Sequence, residues 1–105
     1  LEQAAGEFGA QAEFDSRIAY PSFGFREDDE VVRIAKGAIG SLGLTPRPFV
    51  SGGGSDANVF NGKGVPTVNL AVGYKDIHTT KERIKADDLV KAAELVLAIV
   101  RETLK

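Results

Sequence analysis

Residues 73–84, GYKDIHTTKERI, hold the single histidine of the chain, His78, followed by the hydroxyls of Thr79 and Thr80 and the carboxylate of Glu82. A neutral imidazole is a good donor to zinc and related ions. A catalytic zinc takes about three protein ligands, some of them carboxylates. Asp56, Asp76 and Glu82 are the neighbouring carboxylates to weigh. Asp76 stands two residues from His78, too close for joint chelation without backbone strain. Glu82 is better placed to accept a hydrogen bond that supports the ligand. A solvated histidine in a polar loop ahead of a helix is the other reading of the same residues.

A second stretch, GGGSDAN at residues 52–58, has a different chemistry. Without side chains, Gly52, Gly53 and Gly54 let backbone N–H groups approach a ligand closely. Asp56 could orient a ligand or a histidine. The alternative is a tight turn with an aspartate cap. No Lys-Ser or Lys-Thr follows at phosphate-loop spacing, and no GxGxxG is present.

The elements expected to carry these loops follow from periodicity. Leu1, Ala4, Ala5 and Phe8 share a helical face, with Gly9 at a C-cap position. From residue 10 to residue 20 apolar and polar residues alternate, as in a half-buried strand that Pro21 ends. REDDEVVRIAKGAIGSLGL predicts a helix capped by Asp28 or Asp29, with Val32, Ala35, Ile39 and Leu42 as its buried stripe and Gly43 as its stop. Residues 47–51 read as a short strand leading into the glycines. Ser55 or Asp56 can cap a short helix over 57–61, stopped by Gly62 and Gly64. Residues 65–72, VPTVNLAV, read as an interior strand. A last helix over about 87–104 has Leu89, Ala93, Val96 and Val100 as its expected core face and an Asp87–Lys91 pair on its surface. Helix and strand alternate from Asp28 onward, which argues an α/β layer with parallel strands. If 47–51 and 65–72 are parallel neighbours, both loops leave the same rim, where open α/β sheets bind ligands.

At 105 residues, with 43% hydrophobic residues, the chain has the size and composition of one small globular domain. A net charge of −2 favours neither nucleic acid nor an anionic membrane. The absence of cysteine excludes disulfides and thiolate metal sites. No apolar run approaches the ~20 residues of a membrane span, and the first residues, LEQAAGEFGA, lack the basic region and hydrophobic core of a signal peptide. The expectation is a soluble, cytoplasmic chain.

The two loops taken together resemble a known family. SGGGSDANVFNGKGVPTVNLAVGYKDIHTTKERI looks like the C-terminal catalytic segment of the peptidase T-like exopeptidases, whose superfamily includes aminoacylase and succinyl-diaminopimelate desuccinylase. The likeness extends forward through ADDLVKAAELVLAIV and back through YPSFGFREDDEVVRIA, nearly the whole chain. It implies a three-layer α/β catalytic domain with two zinc ions, cobalt or manganese being suited to similar donors. His78 would be a ligand of one ion, with Thr79 and Glu82 supporting it. Gly53, Gly54, Ser55, Asp56 and Ala57, extended by Asn58, would line the substrate cleft. The substrate would be a peptide or an N-acyl amino acid. Residues 1–22 would be the last helix and strand of a lid domain that often dimerises, and 23–105 the C-terminal part of the catalytic domain.

The departure from the family pattern is as specific. The family's other metal ligands and its general base lie in His-x-Asp and Glu-Glu motifs, and this chain has neither a second histidine nor a Glu-Glu pair. The expectation is therefore a C-terminal fragment of a metal-dependent exopeptidase, inactive by itself. The alternative is a stand-alone, non-catalytic binding or oligomerisation module that keeps the motifs without a complete site.

Overall fold

In a computed structural model describing residues 1–105, the chain forms four helices: α1, Glu2–Glu7; α2, Glu30–Ser41; α3, Asp56–Gly62; and α4, Ala86–Glu102. All four stand where the periodicity predicts helices. The stops of α2 and α3 follow from glycine. After α2, the Gly43 N–H donates to Gly40 O at 2.9 Å and the Leu44 N–H to Ile39 O at 3.3 Å. After α3, Gly64 donates to Asn61 O and Val65 to Phe60 O, each at 3.0 Å. This paired closure needs a left-handed residue, and Gly43 and Gly64 sit at φ +71° and +81°. Asp29 is the residue before α2, but its carboxylate turns backward and accepts the Arg26 N–H at 2.6 Å. Nearby, the Lys36 ammonium donates to Glu27 at 2.8 Å, and this bond and its charge hold the Glu27 carboxyl below its ordinary range.

The buried centre lies between α2 and α4, the one helix pair in contact. Ala38, Leu95 and Ala98 form it, with Ile39, Leu42, Leu70 and Ile99 packed around them. Alanine at the crossing lets the two helices approach closely, and Ala38 is fully buried. The expected α2 stripe is close to the observed one, with Ala38 added. The expected α4 face is not. Leu89, Val96 and Val100 are 60%, 61% and 56% exposed, and Leu95 and Ala98 turn inward instead. Apolar residues cover α4 on two sides, so periodicity alone could not tell which side meets α2. The Asp87–Lys91 pair is also replaced, because Lys91 reaches Glu94 at 2.8 Å.

The strands are the larger correction. Residues 10–20, 47–51 and 65–72 form no ladder, and no backbone hydrogen bond joins 47–51 to 65–72. The parallel pair expected of the α/β layer is absent. The one cross-strand contact is an isolated antiparallel bridge between Lys75 and Arg83. The physical reason is partnership: a strand exists only where a neighbour receives its N–H and C=O groups. Backbone bonds number 49, against about 70 expected for a domain of this length. Residues 10–20 bury neither face, with Ile18 90% exposed, and Val50 is 99% exposed. Residues 65–72 do show a strand-like alternation. Val68, Leu70 and Val72 are half-buried, Leu70 against the helix pair, while Asn69 and Ala71 are exposed. The radius of gyration is 19.6 Å, where a packed domain of about 100 residues has about 13 Å.

Candidate functional site

The histidine loop is closed at its base by the Lys75–Arg83 bridge, with Lys75 N–H to Arg83 O at 2.9 Å and Arg83 N–H to Lys75 O at 3.1 Å. Gly73, at φ +95°, turns the chain into it, and a Cβ there would stand 3.1 Å from Asp88 Oδ2. Between the bridge residues, Asp76 and His78 both take left-handed backbone conformations, φ +53° and +63°. Such residues cost about 1–3 kcal/mol each and persist where surrounding bonds over-determine them. Those bonds are present. Arg83 pairs with the Asp76 carboxylate. Thr79 Oγ1 donates to Asp76 O at 2.6 Å and accepts the Lys81 N–H at 3.1 Å. The Glu82 N–H donates to Thr79 O at 3.1 Å. Glu82 Oε2 accepts the backbone N–H of His78 at 2.8 Å.

The roles inside this loop are therefore divided. Asp76 is engaged by Arg83, and Glu82 and Thr79 hold the backbone around His78. The His78 imidazole is exposed and bonds to none of them. Glu82 bonds to the main chain of His78 and not to its ring. Nowhere in the chain do three His, Asp or Glu side chains gather closely enough to hold an ion. The residues present do not make a metal site by themselves. They offer one uncommitted nitrogen donor, fixed in place by its loop.

The glycine loop is organised differently. Gly52 and Gly53 face open space, apart from Ser51 Oγ, which accepts the Gly53 N–H at 3.2 Å. Ser55 precedes α3, and Asp56 is its first residue, exposed and favourably placed at the positive end of the helix. Asn58 turns inward and is 8% exposed. Its Oδ1 accepts the Ser55 N–H at 2.9 Å and its Nδ2 donates to Pro21 O at 3.0 Å. Asn69 Nδ2 donates to Ser55 Oγ at 2.8 Å, and so ties residues 65–72 to the start of α3. Asn61 reinforces the same junction: its Nδ2 donates to Thr67 O at 2.7 Å and its Oδ1 accepts the Thr67 N–H at 3.1 Å. Ser55 and Asn58 are thus committed to internal bonds, whereas Gly53 and Asp56 remain open to solvent. No hydrogen bond or ion pair joins this loop to the histidine loop. Tyr20, Pro21, Asn61, Asn69 and Arg83 complete the two loops, and nothing in residue type or spacing marks them in advance.

Comparison with known proteins covers nearly the whole chain. The sequence profile described as "Peptidase family M20/M25/M40" matches residues 6–102. The crystal structure of aminopeptidase PepT from Bacillus cereus ATCC 10987 superposes with a TM-score of 0.87 at 52% identity, covering 99% of this chain and 28% of that one. A tripeptidase of Staphylococcus aureus subsp. aureus Mu50 superposes with a TM-score of 0.85 at 42% identity, covering 93% and 26%. The "Uncharacterized protein YqjE" of Bacillus subtilis (strain 168) is 49% identical over 105 residues, all of this chain and 28% of its own length. The chain thus spans a little over a quarter of the length of these proteins.

Proposed function

Because the chain belongs to peptidase family M20/M25/M40, we propose that it forms part of a metal-dependent exopeptidase acting on short peptides, tripeptides among them, or on N-acyl amino acids. The observation that carries this reading is the histidine loop. Its exposed imidazole stands on a backbone held by Glu82, Thr79 and the Asp76–Arg83 pair, in a chain superposing on an aminopeptidase and a tripeptidase.

A bound divalent ion, zinc or in its place cobalt or manganese, would polarise the scissile carbonyl and activate water. Within this chain His78 is the residue that would hold it, supplying one nitrogen donor. No three His, Asp or Glu side chains gather within this chain, so in this reading the remaining donors and the proton-accepting carboxylate would come from outside these 105 residues. Glu82 would act by holding the His78 backbone, so the ring would project from a left-handed residue braced by that bond. Gly53 and Gly54 would present main-chain groups to the substrate, and Asp56 a carboxylate at the mouth of the cleft. Residues 1–22 belong, in this reading, to the end of a lid domain, and 23–105 to the catalytic domain.

The test is an assay of the full-length gene product on tripeptides, dipeptides and N-acyl amino acids with added zinc, cobalt or manganese. Turnover that chelator abolishes and metal restores is the expected result. Absence of hydrolysis with every metal and substrate class would overturn the proposal in favour of a non-catalytic module. The 105-residue chain assayed alone should show no metal-dependent turnover.

A further inference from the structure

The glycine loop is met from one side by residues distant in sequence. Tyr20 and Pro21 touch it and α3 at three points. The Asn58 amide donates to Pro21 O at 3.0 Å. The Pro21 ring lies against Gly62, where a Cβ would come within 2.9 Å of Cγ and 3.1 Å of Cδ. The Tyr20 ring lies against Gly54, where a Cβ would overlap the phenol oxygen and stand 2.8 Å from Cε2.

Gly54 is not glycine for its backbone conformation, because its φ lies outside the left-handed region. Gly52 and Gly53 meet no such obstacle. Of the three glycines, only Gly54 has its missing side chain replaced by another residue. The Asn58 amide is buried, and both its polar ends are occupied, one by Ser55 N–H and one by Pro21 O. A displacement of Pro21 would leave that amide half-satisfied, which is costly for a buried group. Movement at residues 20–21 is therefore passed to Ser55, the last residue of the loop, through a single side chain.

We propose that Tyr20 and Pro21 form a latch that positions the glycine loop. Tyr20 fills the space left by Gly54, and Pro21 holds the loop through Asn58. Tyr20 is a positioning residue, acting on substrate through the loop. This rests on the reading of residues 52–58 as a substrate loop and makes that loop responsive to the segment carrying residues 1–22.

A double-mutant cycle in the full-length gene product tests the latch. Gly54→Ala should push Tyr20 aside and shift the loop, and a displacement near 1 Å can cost up to about 100-fold in kcat/KM. The loss should fall chiefly on KM, with metal content unchanged. In a Tyr20→Ala background the same Gly54→Ala substitution should add no more than about twofold, the spread expected of uncoupled sites. Tyr20→Phe keeps the ring and should behave as the parent. Amide exchange of residues 52–55 gives a readout independent of turnover: it should quicken in Tyr20→Ala and in Asn58→Asp, which keeps the Ser55 acceptor but loses the donor to Pro21. If Gly54→Ala is equally damaging with and without Tyr20, or harmless in both, the latch is wrong and the glycine serves another purpose. If the full-length protein hydrolyses nothing, the proposed function fails. Exchange at 52–55 and the same cycle read by thermal unfolding then still decide the latch.

Discussion

His78 carries the sharpest prediction at the scale of single residues. Its side chain is exposed and fills no core volume, so His78→Ala should change the stability of the metal-free full-length protein by about 0.5 kcal/mol or less. Its effect on function should be larger. Loss of a supporting partner of a metal ligand commonly costs about 10–100-fold in affinity or activity, and loss of the ligand itself should cost at least as much. Elemental analysis for metal content, paired with activity, checks this; unchanged metal and full activity would refute the assignment. Glu82 is predicted to act through geometry. Glu82→Gln keeps an acceptor for the His78 N–H and should lose less than Glu82→Ala, which releases a strained left-handed residue. The measurement is the metal dissociation constant of both variants. Equal losses would mean that the negative charge matters, and not the bond.

The α2–α4 pair governs the scale of elements. Leu95 is the one large residue among the five buried apolar ones, the others being alanines. Leu95→Ala should therefore remove most of the packing between the two helices, a change that costs about 2–5 kcal/mol at a well-packed site. In the 105-residue chain the expected result is loss of amide-exchange protection across 34–41 and 92–99. Leu97→Ala, at a position 60% exposed, should leave that protection in place. The reverse order of sensitivity would mean that α4 packs with its other face inward. The same face choice explains the error in the expected stripe. A helix apolar on two sides gives its period no single phase, and contact with Ala38 decides between them.

At the scale of the whole molecule, the surface left open is the notable feature. Phe49, Val50, Val59, Phe60, Leu89, Val96 and Val100 are all exposed, and the three segments expected as strands lack partners. No helix is long and apolar enough to cross a membrane. A chain with so little buried area cannot offset the conformational entropy of ordering its residues, about 1–2 kcal/mol for each backbone unit. The isolated 105-residue chain should accordingly unfold over a broad range of denaturant, bind a hydrophobic dye, and protect few amides outside α2 and α4. A steep two-state transition with slow exchange along 65–72 would contradict this. Embedded in a longer chain like its relatives, the same segment should show protection at 47–51 and 65–72.

The features legible in residue order alone are local. Helix positions follow from apolar periodicity, and the stops at Gly43 and Gly64 follow from the left-handed turn that closes each helix. Family membership was legible because two short motifs, GGGSDAN and DIHTTKE, constrain residue types that propensity does not. His78 drew notice as the single imidazole beside hydroxyls and a carboxylate, a pattern that fits a metal ligand and a solvated loop histidine alike. The features that residue order leaves open are non-local. Which face of α4 is buried depends on a helix over 40 residues away. Whether 47–51 and 65–72 become strands depends on neighbours to receive their hydrogen bonds. That Gly54 makes room for Tyr20, and that Asn58 reaches Pro21 across 37 residues, cannot be inferred from spacing. Local rules act through bonds between near neighbours, while these contacts exist only once distant segments have been brought together.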